Sequence, residues 1–334
     1  MKQNKMWAIL VHLSMSMWAR KYDDLYENFS EEMWDYIVEE SAKTGLNTIV
    51  LDIGDGVEFA SHPEIAAKNA WSCARVKKEI ERCRALGITL IPKLNFATVH
   101  DAWLGEYHLM VSTKAYYSVC KDLIGEVYGL FENPPYIHIG MDEEDAKHCN
   151  STIYPNIFRQ GELYWHDIRF LADCVLETGA KPWVWACPLF DHPEEYKKYF
   201  GADEMIISPW YYNAFRKEHW TPVSSRAEYV TYYNEGDYAK MNIQFVEEDP
   251  FLVNFRNVAL PLMKEGYRYV PSASVFNRCE YNHADLMEYF RDGAPDGQIL
   301  GYITAPWFAA IPEKKPFFEE TFRLMREAKE RMYG

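Results

Sequence analysis

Short apolar segments recurring along the whole chain, with amphipathic stretches between them, constrain this sequence more than any other feature. They lie at 6–13 (MWAILVHL), 47–53 (NTIVLDI), 88–94 (ITLIPKL), 136–141 (YIHIGM), 181–186 (KPWVWA), 205–211 (MIISPWY), 267–273 (YRYVPSA) and 299–305 (ILGYITA). Each is too short for a buried helix and rich in β-branched or aromatic residues, so each reads as a buried strand. Helix signals fill the intervals. Ser30 and Ser72 stand as N-caps, with Glu31 and Glu32 placed to favour the first helix's dipole. Gly45, Gly87, Gly179 and Gly266 stand where helices should stop. Further helices are expected over 112–131, 154–178, 193–200, 251–265, 282–291 and 316–332, whereas 214–235 shows no clear pattern.

Strand–helix alternation means right-handed βαβ units around a parallel sheet. Eight such units favour an α/β fold of the closed (β/α)8 TIM-barrel type, with residues 1–334 as one catalytic domain. An open, doubly wound sheet would more often carry a Gly-rich nucleotide loop after its first strand, and none is present. The 48% hydrophobic content can fill a large core. A net charge of −15 argues against a nucleic-acid partner and against an anionic membrane surface. No stretch is long and apolar enough to span a bilayer. The seven cysteines are scattered without CxxC spacing, as expected of reduced thiols in a cytoplasmic protein. Lys2 and Lys5 precede an apolar run, but His12, Ser14 and Ser16 break it, so it reads as a first strand and not as an export signal. Oligomeric state is left open.

In a barrel of this kind the C-terminal strand ends line the active site. Those ends carry His12, Asp52, Asn95, Asp142 with Glu143, Trp185, Trp210 with Tyr211 and Tyr212, Asn277 and Trp307. The fourth strand runs directly into the acidic run Asp142-Glu143-Glu144-Asp145. A solvated loop or a helix N-terminus produces such runs too. Carboxylates ringed by tryptophans nevertheless describe a sugar pocket better than a structural barrel end. Neighbouring strand residues point to opposite faces, so Asp142 and Glu143 can serve one site only if the strand ends in a turn there. Glu144 and Asp145 are expected in the following loop, solvated.

The segment His138-Ile139-Gly140-Met141-Asp142-Glu143 resembles the H-x-G-G-D-E motif of family 20 glycoside hydrolases, the β-N-acetylhexosaminidases. Residues 88–95 (ITLIPKLN), followed by His100, resemble that family's strand-three pattern I-P-E-I-D-x-P-G-H, and Trp185, Trp210 and Trp307 fall where it places its pocket tryptophans. The resemblance implies hydrolysis of β-linked 2-acetamido sugars by substrate-assisted catalysis, with no cofactor and no metal. It implies Glu143 as general acid/base, its pKa raised by burial and by Asp142. It implies Asp142 as the group that orients the acetamido nitrogen. The three tryptophans would wall the acetamide pocket, with Tyr211 or Tyr212 donating a hydroxyl. Asp52 would bind a sugar hydroxyl or cap its turn, Asn95 and His100 are further binding candidates, and His138 reads mainly as a hydrogen-bonded interior residue. The sequence departs from the family at Met141 (for the second glycine), at Lys93 (for an acid) and after Trp307, where Phe308-Ala309 replaces an acidic residue. No arginine stands at the substrate-gripping position of the first strand, since Arg20 is too late.

Three other readings stay open at this point. One is a glycosidase for sugars without the acetamido group. Another is a metal-dependent isomerase or aldolase using His138, Asp52 and Asp142 or Glu143. The third is a non-catalytic carbohydrate-binding barrel.

Overall fold

The structure is a computed structural model and describes residues 5–17, 20–151, 155–216, 250–295 and 297–334. Most of 214–235, the stretch without a sequence pattern, lies outside the described residues, as does Tyr154.

The strands are β1 (Met6–His12), β2 (Thr48–Asp52), β3 (Thr89–Lys93), β4 (Tyr136–Gly140), β5 (Lys181–Trp185), β6 (Ile206–Ser208), β7 (Arg268–Tyr269), β8 (Ser272–Ala273) and β9 (Gly301–Thr304). All pair in parallel, in the order β7-β6-β5-β4-β3-β2-β1-β9-β8. Eight strands were expected and nine are seen because one is divided. Pro271 has no N–H for a ladder, and it splits the seventh segment into β7 and β8. The ring closes through these two pieces. Val270 N–H donates to Ile207 O on one side (2.9 Å), and Pro271 O accepts from Ile303 N–H on the other (3.0 Å). The fold is thus a TIM-type α/β barrel.

Period-two alternation sorts the strands into two cores. Ala8, Leu10, Val50, Ile91, Trp183, Trp185, Ile206, Val270 and Ile303 fill the barrel. Ile9, Val11, Ile49, Leu51, Ile137 and Ile139 face the surrounding helices. Those helices include Glu31–Lys43, Cys73–Ala85, Lys114–Leu130, Gly161–Thr178, Asn282–Gly293 and Lys315–Tyr333. Ser72 caps as expected, its hydroxyl accepting from Arg75 N–H, whereas Ser30 sits at its N-cap without a side-chain bond. The helix expected over 154–178 starts later, as Gly161–Thr178, with 155–160 outside any helix, and a separate short helix, Ala146–Ser151, precedes it. Among the described residues no helix is long and apolar enough to cross a membrane.

Candidate active site

The inward alternation that places Leu10 in the barrel brings His12 to the same face two residues later. The register then aligns His12 with Asp52, Asp52 with Lys93, and Lys93 with His138. One layer of the barrel interior is therefore ionisable. Asp52 accepts from His12 Nδ1 (3.1 Å) and from the Lys93 ammonium. Burial opposes its ionisation, yet Lys93 and His12 hold its carboxyl down at about 2. His138 packs between the rings of Trp183 and Trp185, with Nδ1 accepting from Gly140 N–H (3.0 Å). Burial and Lys93 push its imidazole well below the ordinary value, so it is neutral.

Above this layer opens a cavity lined by Met17, Lys93, Asn95, His100, Asp142, Glu143, Trp185, Trp210, Tyr212, Phe276 and Trp307. Its chemistry depends on how β4 ends. A register shift between His138 and Gly140 breaks the ladder, and Gly140, Met141 and Glu143 take φ values of 76°, 68° and 59°. This left-handed run is the turn that brings two consecutive acids to one cavity. Only glycine fits at 140, where a Cβ would lie 1.8 Å from Asn95 Oδ1. Met141 carries a left-handed backbone without glycine's freedom, at a cost of about 1–3 kcal/mol. Its fully buried side chain belongs to the outer core.

Asn95 orders the turn. Its Nδ2 donates to Asp142 Oδ1 (2.8 Å), while its Oδ1 accepts from the backbone N–H groups of Ala97 (3.1 Å) and Met141 (3.3 Å). His100 Nε2 lies 3.4 Å from Asp142 Oδ2 and 3.3 Å from Glu143 Oε2, and His148 Nε2 lies 3.7 Å from Glu143 Oε1. Burial works against a charged His100, but Asp142 and Glu143 outweigh it and raise the imidazole pKa. Burial likewise pushes the Glu143 carboxyl up, but His100 and His148 outweigh it and leave the group below its ordinary value. This corrects the expected upward shift. The nearest partners of Glu143 are two imidazoles, those of His100 and His148.

The other wall is aromatic. Trp185 and Trp307 pack at 5.4 Å between centroids, Trp210 stacks on Tyr212 at 5.2 Å, and Tyr212 meets Trp307 at 6.4 Å. Of the residues expected at the site, His12, Asp52, His138, Tyr211 and Asn277 do not line the cavity. Tyr211 turns outward onto Phe215 and Phe255, its carbonyl held by Asn282 Nδ2 (2.6 Å). Asp52 and His138 belong to the ionic layer beneath. Met17 and Phe276 join the wall without any sequence signal, since both come from loops.

Glu144 is not solvated. Its side chain is fully buried against Arg159, and its Oε2 accepts from Thr98 N–H (3.1 Å). Asp145 is partly exposed and caps the helix Ala146–Ser151, accepting from His148 N–H (2.9 Å). Among the described residues, His100, Asp142 and Glu143 form a group whose ligand atoms all lie within 4.8 Å of one another, a spacing that could hold a cation.

No family model matches the sequence, and no curated protein matches it. Solved structures do match in fold. The β-N-acetylhexosaminidase of Bacteroides fragilis NCTC 9343 is 15% identical, with a TM-score of 0.60 over 97% of this chain and 65% of its own. The family 20 β-N-acetylhexosaminidase of Streptomyces coelicolor A3(2) is 11% identical, with a TM-score of 0.63 over 97% and 64%. A family 20 exo-β-N-acetylglucosaminidase of Vibrio harveyi, in complex with N-acetylglucosamine, is 15% identical, with a TM-score of 0.58 over 97% and 54%. The chain spans between about half and two thirds of these proteins. At such identities the likeness is one of fold, and this barrel has the fold of the family 20 β-N-acetylhexosaminidases.

Proposed function

We propose that the chain is a retaining glycoside hydrolase acting on β-linked 2-acetamido sugars. The observation that carries this reading is the left-handed turn at 140–143, which sets Asp142 and Glu143 side by side in an aromatic-walled cavity. The fold shared with β-N-acetylhexosaminidases supports it, as does the motif at 138–143.

Two carboxyls on one turn do not flank a glycosidic bond as the acid and nucleophile of an ordinary retaining enzyme do. Substrate assistance removes that requirement. The acetamido oxygen attacks C1, the glycosidic oxygen leaves with a proton from Glu143, and an oxazolinium ion forms. Glu143 then takes a proton from water as the water attacks C1, which restores the hydroxyl and the acetamide. Asp142, pinned by Asn95, accepts from the acetamido N–H and stabilises the positive charge developing on that nitrogen. The Glu143 proton is drawn from His100, 3.3 Å away, once a bound sugar excludes water from the pair. Trp185, Trp210 and Trp307 offer flat faces to the sugar, and the Tyr212 hydroxyl stands among them.

The test is a panel of aryl glycosides assayed with the wild-type chain and with Glu143→Gln. Hydrolysis of the 2-acetamido members, abolished in the variant and inhibited by a thiazoline analogue of the oxazolinium ion, supports the reading. Turnover of sugars lacking the acetamido group, without thiazoline inhibition, moves the assignment to another glycosidase mechanism. Sugar binding without any turnover leaves a carbohydrate-binding barrel. A second reading rests on the 4.8 Å grouping of His100, Asp142 and Glu143, which a divalent cation could bridge. Under it, chelation would abolish activity and a divalent ion would restore it.

A further inference from the structure

The acidic run divides its labour. Asp142 and Glu143 face the cavity, whereas Glu144 turns into the protein and meets Arg159. Both side chains are fully buried, as is that of Asp167 on the other side of the guanidinium. Arg159 Nε donates to Glu144 Oε1, one terminal nitrogen donates to Glu144 Oε2, and the other donates to Asp167 Oδ2 (3.1 Å). The nitrogen on Glu144 also donates to the backbone carbonyl of Phe96 (3.1 Å). Asp167 is fixed in turn by the hydroxyls of Ser112 (2.6 Å) and Tyr117.

These contacts have one geometric consequence. Phe96 follows Asn95, and Glu144 follows Glu143. A single guanidinium therefore grips both the loop that carries the Asp142 anchor and the turn that carries the two carboxylates. Thr98 N–H on Glu144 adds a second tie between the same segments. Left-handed backbone at Met141 and Glu143 persists only where its surroundings over-determine it, and the planar fork of arginine supplies that kind of constraint. As a source of stability alone, a buried ion cluster is a poor device, because desolvation offsets much of the attraction.

We propose that Arg159 is a positioning residue for the reaction, locking the 95–98 loop and the 140–145 turn into one rigid unit through Phe96 O and Glu144. This inference rests on the hydrolase reading above. Arg159 touches neither substrate nor reacting atoms and acts by holding Asn95, Asp142 and Glu143 in register.

The test uses the full chain carrying E144Q and R159M together, which removes one buried charge of each sign. The expected result is a cooperatively folded variant whose kcat on an aryl 2-acetamido glycoside falls about 100-fold, with KM within about threefold. A folded double variant with kcat within about threefold of wild type overturns the proposal, since a merely structural pair would be replaced without cost to turnover. Should the double variant not fold, Arg159→Lys keeps the charge and loses the fork, so kcat should fall about tenfold at unchanged KM; full kcat overturns the proposal. If the wild-type chain hydrolyses no glycoside, the hydrolase reading fails by itself. Amide hydrogen exchange then decides the positioning claim. Exchange over 94–99 and 140–146 should rise about tenfold in the variant, with β1 and β2 unchanged; equal exchange over those segments overturns it.

Discussion

The barrel rim has two unlike halves. The ends of β1 to β4 and their loops supply His12, Asp52, Lys93, Asn95, His100, Asp142 and Glu143, whereas β5 onward supplies Trp185, Trp210, Tyr212, Phe276 and Trp307. In the first half polar groups are held by named partners at hydrogen-bond distance, down to the Asn95 amide on Asp142. In the second the contacts are ring on ring. A charge out of water must be compensated and aimed, and small errors are costly. A flat ring stacks over a range of offsets at little loss. The first half should therefore govern turnover and the second should govern affinity.

The largest break in that comparison is expected from Glu143→Gln, which should lower kcat by about 10³-fold or more and leave KM nearly unchanged in steady-state assays. Gly140→Ala comes next, since its methyl would overlap Asn95 Oδ1 and its φ of 76° disfavours any side chain. We expect a loss of about 10²-fold in kcat and about 1–3 kcal/mol in stability by denaturant titration. An unchanged kcat would show that Asn95 does not aim the acid pair. On the aromatic half, Trp210→Ala should raise KM about tenfold, equivalent to about 1.4 kcal/mol, with kcat within about threefold. A kcat loss as large as that of Glu143→Gln would erase the contrast between the halves.

The last contrast concerns two buried histidines whose pKa values are shifted in opposite directions. His100, on the charged half, has its pKa raised by Asp142 and Glu143 against burial. Its stabilisation is full below the ordinary imidazole value near 6.5 and is lost as pH rises through the raised value. His283, behind the aromatic half and bonded to Thr304 Oγ1 (2.8 Å), is driven down by burial to about 3. It destabilises the fold as pH falls from about 6.5 towards 3, with a slope of at most about 1.4 kcal/mol per pH unit. Stability–pH curves of His100→Gln and His283→Gln should flatten on opposite sides of the ordinary imidazole value near 6.5. Flattening on the same side would refute the assignment.

The strands were legible because their apolar runs are short and sharply bounded, and strand ends then located Asp142, Glu143 and the tryptophans. Local pattern failed where the chain leaves regular structure. β6 stops at Ser208, so alternation no longer says which of Tyr211 and Tyr212 faces inward. The direction of the Glu143 shift depends on His100 and His148, which arrive from the loop after β3 and from the helix Ala146–Ser151. The Arg159–Glu144 pair leaves no periodic trace, since its partners are brought together by an irregular excursion of the backbone. The sequence puts Arg159 inside the helix expected over 154–178, so nothing in the pattern pointed to its pairing with Glu144.

Ring closure also has a kinetic side. β1 pairs with β9 as well as β2, and the Lys5 ammonium on Ile299 O joins residues 294 positions apart. Contacts of such separation form only after a large loss of chain entropy, and they delay completion of a sheet. The rungs β1 to β4, which carry the acidic machinery, can zip from neighbour to neighbour, whereas the final seam waits for β9. A barrel caught before that step would have its paired carboxylates assembled while both edges of the sheet stood open, the state in which strands from different molecules pair most readily.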